Sequence, residues 1–273
     1  MRNSASRSSI PKTFWFLGGV GLAFILLPIL SLILKVSPSR FYEDLRAPET
    51  ISALRISLES SIVIALLAFI FGVPVAFLIS RAPVIFGRIV RPIIVSALVF
   101  PPTVAGLALT AFIGDEGIVG KYLGSVFGVY FSGSMAAVII AGLFVGAPFL
   151  ILIAEASFDQ LEIRLEESAI TEGATRWQVF RFISIPQVLG ALIAGTTLTW
   201  ARALGEFGAT MTFAGSFPGK TFTPSMQIYA DLKVNQGAAY SLSIFMLFIS
   251  LGTLLLLQGR WLHILWKRGS RIG

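Results

Sequence analysis

The sequence predicts an all-α polytopic membrane protein of six transmembrane helices, folded as one domain over residues 1–273. Three observations predict it. Hydrophobic residues make up 55% of the chain, with a mean hydropathy of +0.84. Charged residues make up only 13%, where soluble domains carry about 25%. Uncharged runs long enough to cross a hydrocarbon core of about 30 Å recur along the chain.

In order, residues 14–34 form an uncharged run of 21 residues, and residues 60–80, 93–114 and 135–154 are likewise uncharged. Residues 188–214 are mostly apolar but contain Arg202 and Glu206, and 241–257 is shorter and continuous. Each is expected to span as a helix. The first follows Arg2, Arg7 and Lys12, as a signal peptide would, but it is too long for a usual signal core and no A-x-A-like site follows. It is read as a retained helix. Pro101 and Pro102 near the start of the third span break regular helix bonding, which is tolerated only where protein or water satisfies the freed groups. They read either as a pathway-facing, gate-adjacent element or as a plain helix entry. Glu59 is expected at the interface.

Positive charge sets the orientation. With the N-terminus inside, one set of segments holds thirteen Lys and Arg residues, including Arg81, Arg88, Arg91, Arg164, Arg176 and Arg181. The opposite set, Lys35, Arg40, Arg46, Arg55, Lys121, Lys220 and Lys233, holds seven. The bias predicts cytoplasmic termini in a cell membrane and accounts for most of the net charge of +7. No basic cluster alternates with aromatics, so no nucleic-acid partner is expected. Trp261 and Trp266 read as an interfacial belt around the lone His263.

The stretch GSFPGKT at 215–221 looks like a phosphate loop but lacks one residue of the G-x-x-x-x-G-K-[ST] spacing, and Pro218 has no N–H to offer. There are no cysteines, no metal-ligand cluster and no nucleophile–base set. No bond chemistry, no cofactor and no metal are expected in this chain.

Residues 155–187 form the longest cytoplasmic connection. Asp159 and Glu162 have capping-box spacing and predict a helix start. Leu165, Ala169, Gly173 and Trp177 recur every four residues as an apolar stripe, with Glu166, Glu167 and Glu172 off it. Glu172 and Arg176 are expected to pair at i,i+4. Gly173 should end or bend this helix, and Pro186 should stop the next. An acidic amphipathic helix is repelled by anionic lipid, so a protein partner fits it better than the bilayer surface.

Glu167, Ser168, Ala169, three residues, Gly173, nine residues, Ile183, one residue, Ile185 and Pro186 resemble the loop E-A-A-x3-G-x9-I-x-L-P. That loop marks the membrane subunits of ABC importers. Ser168 and Ile185 depart conservatively from it. The resemblance implies a type I importer permease with a cytoplasmic coupling helix that docks on a separate dimeric ATPase subunit, where ATP and Mg bind. FPPTVAGLAL at 100–109, containing Pro101, Pro102 and Thr103, and WARALGEFGATMTFAGSFPGKT from 200 resemble the molybdate permease subfamily. The resemblance covers about residue 50 to the C-terminus. It implies a homodimer that imports molybdate or tungstate from an extracytoplasmic oxyanion-binding protein, with a sulfate permease as the alternative.

Arg202 and Glu206 lie one turn apart on the expected fifth helix. They read either as lining of the translocation route, with Arg202 meeting an oxyanion, or as an internal ion pair that fixes packing. A gradient-driven secondary transporter would show carboxylates in several spans and matching halves. Glu206 is the only carboxylate deep in a span.

Overall fold

A computed structural model describes residues 11–269, with side chains through 253 and at 255. The side chains of Trp261, His263 and Trp266, and Arg2, Arg7 and Arg271, lie outside the described residues. Within them the chain forms twelve helices: α1 Lys12–Lys35, α2 Pro38–Arg46, α3 Pro48–Arg81, α4 Val84–Val99, α5 Pro102–Ile113, α6 Gly120–Phe127, α7 Met135–Asp159, α8 Ile163–Thr171, α9 Arg176–Leu204, α10 Gly208–Phe213, α11 Pro224–Val234 and α12 Gln236–Gly269. Five of these are long and apolar enough to span, and the count is six if the bent pair α4 and α5 is taken as one span.

Three of the expected spans take a different form. The run 93–114 is not one helix: α4 and α5 meet at 116°. A proline excludes the residue before it from the α region. Two in succession therefore push both Phe100 (φ −59°, ψ 132°) and Pro101 (φ −51°, ψ 133°) out of it. Pro102 then starts α5, where a missing N–H costs nothing. The run 188–214 ends early, at Leu204, and resumes as α10 after Gly205, Glu206 and Phe207. The run 60–80 starts early, at Pro48, so α3 has 34 residues and reaches about 50 Å.

Pro186 does not stop its helix. It follows a π-helical turn at Phe180–Ser184 and sits in the first turn of the segment that continues to Leu204. Pro74 follows a π turn at Ala68–Gly72 in the same way. A widened i→i+5 turn absorbs the clash between the proline ring and the preceding turn, and the apolar helix carries on.

The centre of the bundle is α7, which packs against α3, α4, α5, α9 and α10. One apolar cluster joins Ala68, Val73 and Ala76 of α3, Leu150, Ala154 and Phe158 of α7, and Leu192 of α9. A second joins Ala105 and Leu109 of α5, Ala141 and Val145 of α7, and Ala209 and Phe213 of α10. Lipid offers no hydrophobic drive for helices to associate, so close approach over small residues does the work. At Gly146 the backbones come near enough for Thr199 Oγ1 to donate to its carbonyl at 3.0 Å. By contrast, α1 buries no residue and touches α12.

At Gly195 on the α7–α9 seam, an added Cβ would lie 2.8 Å from Leu150 Cδ1 and 3.1 Å from Leu150 Cα. The backbone atom cannot swing away. Gly195→Ala is therefore expected to cost about 1–3 kcal/mol, read as a lower midpoint in detergent unfolding of the purified protein. An unchanged midpoint would contradict this seam.

Candidate functional site

Two sets of residues stand out, and α9 connects them over roughly 40 Å. The first is α8 with its flanks. Its start differs from the expected one: α7 runs on to Asp159, and Glu162 is the N-cap of α8 without a side-chain cap. Asp159 instead accepts a hydrogen bond from Ser80, and Arg91 lies 3.8 Å away. The end is as expected. Gly173, at φ +96°, occupies a conformation that only glycine adopts freely. Gly173 N donates to Ile170 O at 3.0 Å and Ala174 N to Ala169 O at 2.9 Å, which is a Schellman closure.

That closure separates Glu172 from Arg176, and the expected ion pair between them does not form among the described residues. A capping box starts α9 in its place. Thr175 Oγ1 accepts from Gln178 N at 3.3 Å, and Gln178 Oε1 accepts from Thr175 N at 2.8 Å.

The burial of α8 is the reverse of an ordinary surface helix. Its one buried residue is an acid, Glu166, which is 7% exposed. The expected apolar stripe faces outward: Leu165 is 47% and Trp177 64% exposed, Gly173 is exposed and Ala169 half-buried. Glu167 and Ser168 are exposed beside it and line a shallow cleft with Arg164, Thr171 and Glu172. Ile183 sits half-buried in the π turn of α9, and Pro186 is exposed just beyond it.

Glu166 is tied down beneath this face. Arg81 grips it bidentately, Nε to Oε2 at 2.9 Å and Nη2 to Oε1 at 2.8 Å. Those hydrogen bonds hold its carboxyl below the usual carboxylate range, Ser184 adds to them, and burial opposes them. Arg91 pairs with the buried Glu155 of α7 in the same region, Nε to Oε1 at 2.6 Å. Neither pairing is visible in the sequence pattern. The available signal was Arg81 itself, a lone arginine directly after an uncharged run.

The second set gathers at the two breaks, where Pro101, Pro102 and Thr103 at the start of α5 meet the start of α10. A Cβ on Gly208 would lie 2.7 Å from Pro102 Cβ and 3.2 Å from Thr103 N. A Cβ on Gly106 would lie 1.7 Å from Thr212 Oγ1 and 2.7 Å from the backbone oxygen of Ala209, so the two helices pack with no room for a side chain there. Arg202 lies in the last turn of α9, where a cation suits the helix dipole. Glu206 is not on that helix but in the linker behind it. It is 3% exposed, and its Oε1 accepts from Ala209 N at 2.8 Å at the start of α10.

Glu206 Oε2 lies 2.6 Å from Arg202 Nη1, yet the approach is not aligned as a hydrogen bond, so this oxygen is held by charge alone. The ion pair is therefore formed. Arg202 keeps its other nitrogens on a side chain that is 29% exposed.

GSFPGKT folds on itself. Thr221 Oγ1 donates to Gly215 O at 2.8 Å and accepts from Phe217 N at 3.0 Å, while the amides of Lys220 and Thr221 both turn to Phe217 O. Those N–H groups are spent inside the turn.

Residues 68–263 match the family described as "Binding-protein-dependent transport system inner membrane component". The chain is 32% identical over 243 residues to the molybdenum transport system permease protein ModB of Mycobacterium tuberculosis, covering 89% of this chain and 92% of that one. It is 28% identical over 222 residues to the sulfate transport system permease protein CysT of Escherichia coli, covering 79% and 80%. Its fold is similar to a chain of a bacterial alginate ABC transporter solved with an alginate-bound periplasmic protein, at TM-score 0.71 and 20% identity, covering 90% and 93%.

Removing the charge of Arg202 leaves a buried carboxylate unpaired, at a cost of about 3–5 kcal/mol. Arg202→Gln is thus expected to reduce the yield of folded protein in size-exclusion chromatography. Arg202→Gln with Glu206→Gln is expected to recover it, since glutamine retains the bond to Ala209. Equal yields for the single and double variants would contradict the pairing.

Proposed function

Because the chain belongs to the family of binding-protein-dependent transport system inner membrane components, and is a multi-pass permease rather than a catalyst, we propose that it imports a tetrahedral oxyanion, molybdate or tungstate, using ATP hydrolysed by a separate subunit dimer. The observation that carries the energetic part is the inverted α8, which exposes an apolar and small-residue face over a buried acid. A partner must cover that face. Glu167 and Ser168 supply polar contacts, Ala169 and Gly173 permit close approach, and Ile183 and Pro186 lie at the π turn of α9 behind it. ATP and Mg belong to the partner.

Orientation follows from the positive bias, with both termini and α8 in the cytoplasm. The opposite face receives an extracytoplasmic binding protein that delivers the anion. Two copies of the chain form the pathway on a twofold axis. In each, the α5 and α10 starts form the constriction, Pro101, Pro102 and Thr103 on one side and Arg202 with Glu206 on the other. Arg202 keeps donors free for a passing oxyanion, while Glu206 prevents it from holding the anion tightly; transit needs weak, multi-site contact. Closure of the ATPase dimer moves α8 and opens the path outward, and hydrolysis resets it.

Molybdate is favoured by the 32% identity to a molybdenum permease. The 28% identity to a sulfate permease supports sulfate as the second reading. The test is ATP hydrolysis by the complex in liposomes with its binding protein, comparing molybdate, tungstate and sulfate. Stimulation by molybdate or tungstate and not sulfate is expected, with loss of stimulation in a Gly173→Val variant. Stimulation by sulfate alone would overturn the substrate and keep the importer.

A further inference from the structure

Glu166 stands outside the matched loop pattern and beneath the docking face, yet more structure converges on it than on any residue of that face. Oε2 accepts from Arg81 Nε at 2.9 Å, and Oε1 accepts from both Arg81 Nη2 at 2.8 Å and Ser184 Oγ at 3.0 Å. Arg81 spends its remaining donor atom on Phe158 O at 3.1 Å and Ser80 Oγ at 2.7 Å. One carboxylate therefore ties α8 to α3 through Arg81, to the last turn of α7 through Phe158, and to α9 through Ser184.

The branch to α9 reaches an irregular point. Ser184 is fully buried in the π turn, and its hydroxyl also lies 3.4 Å from Val179 O. A π turn is where a helix most readily changes its hydrogen-bond register. The same helix carries Arg202 in its last turn, next to the proposed constriction. Glu166 is the only buried side chain of α8, so besides the backbone at its two ends α8 has one buried side-chain connection to the bundle, and it forks.

We propose that Glu166 is a positioning residue that passes a displacement of α8 to α3 and α9 together, with Ser184 as the branch toward the constriction. This rests on the reading that an ATPase subunit docks on α8. A purely architectural role would hold the loop for docking and transmit nothing, and the two separate in experiment.

The experiment uses the permease purified with its ATPase subunit in liposomes, as the unmodified chain, Ser184→Ala and Glu166→Gln. Two quantities are read: ATPase subunit retained per permease, and the ratio of ATP hydrolysis with and without molybdate-loaded binding protein. Ser184→Ala removes one hydroxyl and keeps the Arg81 clamp. It is expected to retain the ATPase subunit and to lose about fivefold in stimulation, within the range of coupling effects along a contact network. Glu166→Gln is expected to lose more.

Unmodified stimulation in both variants would overturn the proposal. So would a fall in stimulation that merely parallels a fall in retained ATPase subunit. If the unmodified chain retains no ATPase subunit, the failure belongs to the proposed function instead.

Discussion

A carboxylate cannot be buried at the edge of a membrane bundle unless something answers its charge, and the Arg81–Glu166 pair is that answer here. Much of one end of the molecule follows from it. Because α8 turns its acid inward, its apolar residues face out, which is the opposite of what a helix does on its own in water. Because Arg81 ends α3, that 34-residue helix is anchored at this point and not left free in the headgroups. Arg91 and Glu155 repeat the device between α4 and α7. The connection from α7 to α9 is thus held by ion pairs, with apolar side chains turned outward over them.

The second constraint is the backbone. In lipid every N–H and C=O needs a partner inside the protein, so interruptions occur only where neighbouring helices can supply one. The chain interrupts itself at Phe100–Pro101 and at Gly205–Phe207, and the two breaks are packed against each other, with Gly106 and Gly208 removing the side chains that would keep them apart. Glu206 meets the second break by accepting from Ala209 N. Both breaks fall at one contact, whereas the π turns at Ala68–Gly72 and Phe180–Ser184 leave their helices continuous.

How much of this was legible in the sequence differs by element. The apolar runs located the membrane helices, five as single helices and one as the bent pair α4 and α5, since length and charge decide membrane insertion on their own. The Schellman end at Gly173 was legible because a left-handed residue has a local signature. The starts and stops governed by tertiary contact were not. Asp159 and Glu162 have capping spacing, but α7 continues to Asp159 because its last turns pack on α3 and α4. Pro186 reads as a stop, but a π turn five residues long absorbs it. Glu206 reads as a helix-face partner of Arg202 and is instead a linker residue that starts α10. Glu166 reads as one exposed acid among three; only the fold brings Arg81, 85 positions earlier, against it. The loop-pattern residues Glu167, Ser168 and Gly173 are exposed on α8 and at its end, while the clamp beneath them has no linear pattern to find.

The central claim is that the outward face of α8 is where a separate ATPase subunit sits. The chain has no cysteine of its own, so Ala169→Cys introduces a single reactive position in the middle of that face. The most direct measurement is cross-linking of this variant, in native membranes, with a short bifunctional thiol–amine reagent, alongside Ile51→Cys at the far end of α3 as a control. The account predicts a covalent adduct between the permease and an ABC ATPase subunit for Ala169→Cys and none for Ile51→Cys. An Ala169 variant that reacts with a small thiol label yet forms no such adduct would contradict it.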